Sequence, residues 1–321
     1  MKVSVLGCGR WGSFLAWYND KIGNDVMSWG MEGEPSYDVL KKTRKNDYVT
    51  FPDSIRLTAD LEEAVRHAET IIISISAQGL RGFLKRVVKF DLTSKTFVLC
   101  MKGIEEPSGK RLTQIAIEEG IDKSSVAVWV GPGHIQSFVA GIPNCMVVDS
   151  YNAELTKRLA DSFKSDLIRF YYGNDIIGTE VGAAAKNVMG IVAGMLDGMN
   201  LSELKGPLMS RGSREVARLT KALGGSEFSA YGLCHLGDYE TTLFSKFSHN
   251  RMWGEKYAKG EKFDKLAEGV ATAGALCALA EKCGVDMPIT REVYDMICHN
   301  TPPKDALARL FDREAKEEFY L

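Results

Sequence analysis

Lys186 sits in the run Gly182-Ala-Ala-Ala-Lys-Asn187, among residues too small to hold a ligand or another chain segment at a distance. A lysine enclosed by Ala and Gly is partly desolvated, which lowers its pKa and suits it to proton transfer near neutral pH. The plainer alternative is a surface lysine on a small-residue packing face. A second lysine, Lys102, opens Lys102-Gly103-Ile104 after a β-like run, at the sheet edge where α/β proteins bind ligands, or is simply a loop lysine. Gly131-Pro132-Gly133-His134 also follows a β-like run and could present backbone N–H groups to an anion, although an ordinary turn has the same composition. Asp238, in His235-Leu-Gly-Asp-Tyr-Glu-Thr-Thr242, and the cluster Ser248-His249-Asn250-Arg251 could add a carboxylate and a basic phosphate clamp. Taken singly, these are loop residues.

The most specific local pattern is Gly7-Cys8-Gly9-Arg10-Trp11-Gly12, a GxGxxG between a β-like run and a helical one. Gly7 allows the tight turn, Gly9 lets a pyrophosphate approach the backbone, and Gly12 lets helix and strand pack closely, with the helix N-terminus facing the anion. A dinucleotide site is expected here. Glu32 falls 20 residues after Gly12, where a carboxylate would accept hydrogen bonds from a ribose 2′-OH, which favours NAD. Lys41, Lys42, Arg44 and Lys45 could instead meet the 2′-phosphate of NADP, or form a solvated helix face. No metal is expected, since the five His and seven Cys show no ligand spacing, and no GxSxG nucleophile elbow occurs.

These residues need a scaffold, and the pattern supplies one. β-like runs at 2–6, 25–29, 70–74, 96–101, 126–130, 145–148 and 169–172 alternate mostly with helical stretches, predicting an α/β, Rossmann-like, mainly parallel sheet. Asp60 with Glu63 marks a helix start. After a turn at 173–175 the pattern becomes helical, opening with a long helix over 176–199 that carries five glycines. Each Gly costs up to about 1 kcal/mol relative to Ala, so their density points to close approach by a helix or a ligand. The expected division is a dinucleotide-binding domain over 1–173 and an all-α substrate and catalytic domain over 174–321, with a ligand cleft between them.

Composition narrows the function class. Lys plus Arg total 40 against 42 Asp plus Glu, so there is no bulk signal for nucleic acid, and an anion site must be local. An odd number of cysteines without CxxC pairs reads as reduced thiols in a cytoplasmic protein. The N-terminus enters a strand without a signal-peptide apolar region, and no uncharged apolar run approaches the roughly 18 residues of a membrane span.

The order of motifs resembles the NAD(P)-dependent glycerol-3-phosphate dehydrogenase family over nearly the whole chain. The similarity is carried by Gly-Cys-Gly-Arg-Trp-Gly at 7–12, Ser-Ala-Gln at 76–78, Lys-Gly-Ile-Glu at 102–105 and Gly-Pro at 131–132. It continues with Ile-Gly-Thr-Glu-Val-Gly-Ala-Ala-Ala-Lys-Asn at 177–187, Leu-Gly-Asp at 236–238, Glu-Gly-Val at 268–270 and Met-Pro-Ile-Thr at 287–290. The resemblance implies reversible hydride transfer between NAD or NADP and C2 of dihydroxyacetone phosphate or sn-glycerol 3-phosphate, serving glycerophospholipid synthesis in a cytoplasmic homodimer. It makes Lys186 the proton donor and acceptor, with Lys102 and Asp238 assisting. Substrate contacts fall to Lys102, Gly131, Gly133, Asn187, Asp238, Thr242, Ser248, His249, Asn250 and Arg251. Cofactor contacts fall to Gly7, Gly9, Arg10, Trp11, Gly12, Glu32, Gln78, Lys102, Ile135, His249 and Glu268.

Three positions depart from the family pattern. Gly-Pro-Gly-His-Ile at 131–135 stands where Gly-Pro-Ser-Phe-Ala or a near variant is usual, removing a hydroxyl and adding the His134 imidazole. Ser-His-Asn-Arg at 248–251 stands for Ser-Arg-Asn-Arg, so a phosphate-binding Arg position is His249, with Arg251 as the compensating cation. Met31 replaces a basic residue common in NADP-using bacterial members, which again favours NAD. Two alternatives stand beside this reading: a two-domain hydroxyacid or ketopantoate-type reductase, against which the adjacency of Lys186 and Asn187 argues, and a non-catalytic nicotinamide-binding sensor.

Overall fold

A computed structural model of the chain describes residues 1–318. Eight strands, β1 (Lys2–Leu6), β2 (Asp25–Trp29), β3 (Arg56–Thr58), β4 (Thr70–Ile73), β5 (Thr96–Leu99), β6 (Val126–Val130), β7 (Asn144–Ser150) and β8 (Ile168–Tyr172), form one sheet in the order β3-β2-β1-β4-β5-β6-β7-β8. All neighbours run parallel except β6 and β7, which are antiparallel. The mainly parallel Rossmann-like sheet expected from the alternation is therefore present. The strand β3 was not expected: three residues, Arg-Leu-Thr, are too few to show a period.

Apolar residues alternate between two cores because successive side chains point to opposite faces. Val3, Val5, Ile72 and Val98 join one core, while Leu6, Ile71, Ile73, Phe97 and Leu99 join the other. Burial on both faces is what a helix-covered parallel sheet requires. The first helix, Arg10–Lys21, follows β1 directly, and β1 lies between β2 and β4. That position is the switch point of strand order, where α/β sheets open a crevice at the strand C-termini.

Beyond β8 the described chain is helical, from the long helix Ile176–Gly198 onward. This helix is long and apolar enough to cross a membrane by length and composition, with a window of mean hydropathy 1.2, but 89% of that window is buried inside the protein. Its glycines answer to protein packing. A Cβ on Gly194 would lie 1.8 Å from the Arg251 carbonyl oxygen, and one on Gly254 would lie 2.0 Å from that of Ile191. The helices Ile176–Gly198 and His249–Ala258 thus touch backbone to backbone.

The sheet half of the chain and the long helix are joined by a buried ion pair. Arg111 donates to Glu180, whose carboxylate also accepts from the backbone N–H of Thr113 at 2.9 Å and from its hydroxyl. Asp60 caps its helix by accepting from the N–H groups of Glu62 and Glu63. The reciprocal half of the capping box does not form, because the Glu63 carboxylate takes the Thr58 hydroxyl instead.

Candidate active site

A cleft of about 790 Å³ runs from the end of β2, at Met31, Glu34 and Ser36, past Gly7–Trp11 to Lys186, Asn187 and the segment 247–250. Its inner end is built from two lysines and one carboxylate. Lys186, on the long helix, is only 9% exposed; its Nζ donates to Thr242 Oγ1 at 2.7 Å and stands 3.1 Å from Asp238 Oδ2. Burial lowers its pKa to about 8; the Asp238 carboxylate opposes that shift, and Lys102 adds to it. Lys102, beyond β5, donates to the same Asp238 oxygen at 2.5 Å and to the Gly131 carbonyl at 2.8 Å. Burial alone would raise Asp238, but the two ammonium groups hold it below the usual carboxylate range.

Local structure fixes this geometry. Asp238 ends a tight turn, Leu236–Asp238, followed by a π-helical turn, Glu240–Phe244, a form often found at functional sites. The Thr242 hydroxyl donates to the Asp238 carbonyl at 2.7 Å, which turns its lone pairs towards Lys186. His235, which the sequence reading placed only in a motif, anchors the whole segment. Its Nδ1 meets the Gly182 carbonyl at 2.9 Å, one turn before Lys186, and its Nε2 meets the Tyr239 hydroxyl at 2.7 Å. Burial pushes His235 down to about 4, so it is neutral.

The glycines of the 7–12 motif each have a different constraint. Gly7 has φ +122°, and a Cβ there would strike the Ser74 carbonyl; one on Gly12 would strike the carbonyl of Gly7 at 2.0 Å. A Cβ on Gly9 would meet no heavy atom within 4 Å, so that position leaves open space beside the backbone. The first helix has no side-chain cap at Gly9, and its N-terminal amides are open to an anion. The donor set and the open cradle fit a nicotinamide dinucleotide.

Several expected site residues line this cleft: Gly7, Gly9, Arg10, Trp11, Lys102, Gly133, Ile135, Asn187, Ser248, His249, Asn250 and Glu268. Glu268 is raised by burial, against a hydrogen bond from the Ala77 backbone. Some of these groups are already engaged. Ser248 caps its helix by accepting from Arg251 N, Asn250 Oδ1 accepts from Gly269 N at 2.9 Å, and His249 Nδ1 lies 3.2 Å from the Leu266 carbonyl.

Three expected contacts are placed elsewhere. Glu32 pairs with Lys41 at 3.0 Å on the exposed surface, and Glu34 lines the cleft instead. Gln78 donates to the Ile104 carbonyl and accepts from Glu106 N, each at 2.9 Å, bracing the loop after Lys102. Arg251 turns towards Asp197, Glu255 and the Ser245 carbonyl, at 2.5, 3.0 and 3.1 Å, so its charge is already spent within the helical half. The sequence reading had not named Glu34, Ser36, Phe83, Arg86, Thr241 or Phe247 as cleft residues. His134 also lines it, pushed down to about 4 by burial and by the charges of Arg10 and Lys186, with an Nε2 that is buried and without a partner. Among the described residues, no group of three or more His, Cys, Asp and Glu could hold a metal ion.

Family models and sequence relatives point to the same family. The family models for the NAD-dependent glycerol-3-phosphate dehydrogenase N-terminus and C-terminus match residues 2–156 and 175–308. The chain is 35% identical to a glycerol-3-phosphate dehydrogenase [NAD(P)+] of Prosthecochloris aestuarii, over 99% of this chain and 100% of that protein. A crystal structure of glycerol-3-phosphate dehydrogenase from Coxiella burnetii superposes with a TM-score of 0.89 at 26% identity, covering 97% of this chain and 99% of that one. A ketopantoate reductase from Ralstonia eutropha shares the fold alone, with a TM-score of 0.63 at 12% identity, covering 96% and 100% of the two chains. With matched models on both halves and a relative aligned from end to end, the chain belongs to the NAD-dependent glycerol-3-phosphate dehydrogenase family.

Proposed function

We propose that the protein is an NAD(P)-dependent glycerol-3-phosphate dehydrogenase, interconverting dihydroxyacetone phosphate and sn-glycerol 3-phosphate. The observation that carries the reaction is Lys186, buried at the inner end of the cleft, with its pKa lowered to about 8 and a carboxylate 3.1 Å away. When bound, the nicotinamide cofactor supplies or accepts the hydride at C2. Lys186 Nζ gives a proton to the C2 oxygen during reduction and takes it back during oxidation, which a pKa near working pH favours. Lys102, held in place by Asp238, stabilises negative charge developing on that oxygen. Asp238 and Thr242 orient both ammonium groups, and Asn187, beside Lys186 in the cleft, is a substrate contact.

Gly7, Gly9, Trp11, Gly12, Ile135 and Glu268 serve the cofactor, and NAD is favoured. Glu34 supports that preference, because it lines the cleft beyond the end of β2, and its negative charge would repel a 2′-phosphate. The working division is a cofactor domain over 1–173 and a catalytic helical domain from 174. A cytoplasmic homodimer supplying glycerophospholipid synthesis follows from the family resemblance, and all seven cysteines are free thiols.

The test is oxidation of NADH and, separately, NADPH by purified protein with dihydroxyacetone phosphate, against unphosphorylated dihydroxyacetone. Phosphate-dependent turnover, faster with NADH, is expected. Saturable nucleotide binding with no turnover would instead support the non-catalytic sensor.

A further inference from the structure

Two groups, His249 and Arg251, were expected to meet the substrate phosphate, and both of them, like the substrate lysine Lys102, are already engaged. Arg251 is bonded to Asp197, Glu255 and the Ser245 carbonyl. His249 sits against the Leu266 carbonyl, and burial lowers its pKa, so near neutral pH it carries little charge. Lys102 is paired with Asp238. A phosphate monoester carries close to two negative charges at pH 7, and its strongest partner is a cation that nothing else has neutralised.

The cleft has two guanidinium groups. Arg86 lies over the rings of Trp29 and Phe83, at the end of the cleft shared with Glu34 and Ser36 and away from the two lysines. Arg10 is the other. It is half-buried and projects from the first turn of the helix Arg10–Lys21, where no side chain caps the amides. Its contacts are a long bond of 3.4 Å from Nη1 to the Phe247 carbonyl and the Tyr48 ring at 5.5 Å; among the described residues no carboxylate forms an ion pair with it. Its charge is felt by His134 and by His249 alike, and His134 also feels Lys186. Arg10 therefore lies beside the segment 247–249, on the cleft that Lys102 and Lys186 also line.

We infer that Arg10, from the sheet half, binds the phosphate of the three-carbon substrate, in the role expected of position 249 or Arg251. The inference rests on the proposed reaction for the substrate's identity. A guanidinium presents a planar fork of donors that matches phosphate oxygens, and Arg10 can exchange its long bond to Phe247 for charge-assisted ones. Because Arg10 already reaches the backbone of the helical half, a bound phosphate would tie the two halves together across the cleft.

The same chemistry is offered by the cofactor's pyrophosphate, so the experiment separates the two sources. Full-length wild type, Arg10→Gln and Arg10→Lys are compared, with thermal melting as a check on folding. Inorganic phosphate is titrated calorimetrically into NADH-saturated protein, NADH affinity is measured by fluorescence, and kcat/KM is measured for dihydroxyacetone phosphate and for dihydroxyacetone. Arg10→Gln should weaken phosphate binding by about tenfold or more, the scale of a lost charged hydrogen bond. The ratio of kcat/KM for the phosphorylated over the unphosphorylated ketone should fall to match, with a distinctly smaller loss for NADH, and Arg10→Lys should fall between. Unchanged phosphate affinity overturns the inference. So does a loss that falls mainly on NADH, which assigns the guanidinium to the cofactor. Phosphate bound through Arg10 by a wild type that does not reduce the ketone would leave this site standing and sink the proposed reaction.

Discussion

Asp238 Oδ2 stands 2.5 Å from Lys102 Nζ and 3.1 Å from Lys186 Nζ. One buried carboxylate oxygen from a short turn thus joins a lysine at the end of a sheet strand to a lysine inside the long helix. It pairs directly with Lys102, while Lys186, the more deeply buried of the two, has a lowered pKa.

If Lys186 moves the proton, Lys186→Ala should lower kcat by about 10²- to 10⁴-fold. Asp238 keeps Lys102 as its partner, so the variant should fold and still bind NADH. Steady-state kinetics and fluorescence titration check this, and full activity in the variant would remove Lys186 from the mechanism.

The pH dependence has a definite sign. Oxidation needs the neutral amine, so its rate should rise with pH and level off above about 8; reduction needs the ammonium and should fall over the same range. Asp238 favours the charged form of Lys186, so Asp238→Asn should move both limbs to lower pH. pH profiles of kcat/KM in the two directions, for wild type and variant, make the comparison.

Gly194→Ala should destabilise the protein by about 2 kcal/mol or more, because the added carbon would meet the backbone of Arg251, which has no flexible end to move aside. Gly82→Ala, in the helix Leu80–Val87, meets nothing within 4 Å and should stabilise by about 0.5 to 1 kcal/mol. Urea denaturation of the two variants reads the contrast.

Arg111→Met would leave Glu180 buried without its cation, at a cost of about 3 to 5 kcal/mol. Adding Glu180→Gln should recover much of that loss, since a neutral amide oxygen can still accept from Thr113 N. If the double variant is no more stable than the single one, the unpaired buried charge of Glu180 is not the cause.

Glu34→Gln should improve NADPH relative to NADH by about fivefold, the effect of removing about 1 kcal/mol of repulsion from a 2′-phosphate. Glu32→Gln should change the ratio much less, because that carboxylate faces Lys41 on the surface. Kd values for both cofactors decide between the two positions.

Much of the architecture is local information. The β-rich runs at 2–6 and 70–74, the glycines at 7, 9 and 12, and the change to helical periodicity after 173 are properties of neighbouring residues, and the sheet and the helical half could be read from them. The glycines of the long helix announced a close approach without naming the partners, which are the helix His249–Ala258 for Gly190, Gly194 and Gly198, and residues 229 and 234–235 for Gly178 and Gly182. The strand β3 carries too few residues for a pattern, and the antiparallel β7 has the same side-chain period as a parallel strand.

The sequence by itself determined which residue types were available for chemistry and the elements that carry them. Tertiary structure alone decided which charges remain free to act. Lys102 and Asp238 are 136 positions apart yet share a hydrogen bond, and nothing between them records it. Arg10 and Arg251 are chemically identical, but one faces the cleft without a carboxylate while the other is consumed by Asp197 and Glu255. Glu32 and Glu34 lie two residues apart, and only the path of the turn after β2 sends the second towards the cleft. The physical reason is common to all three: a side chain's charge acts through its burial and its partners, and both are set by contacts between segments far apart in the chain.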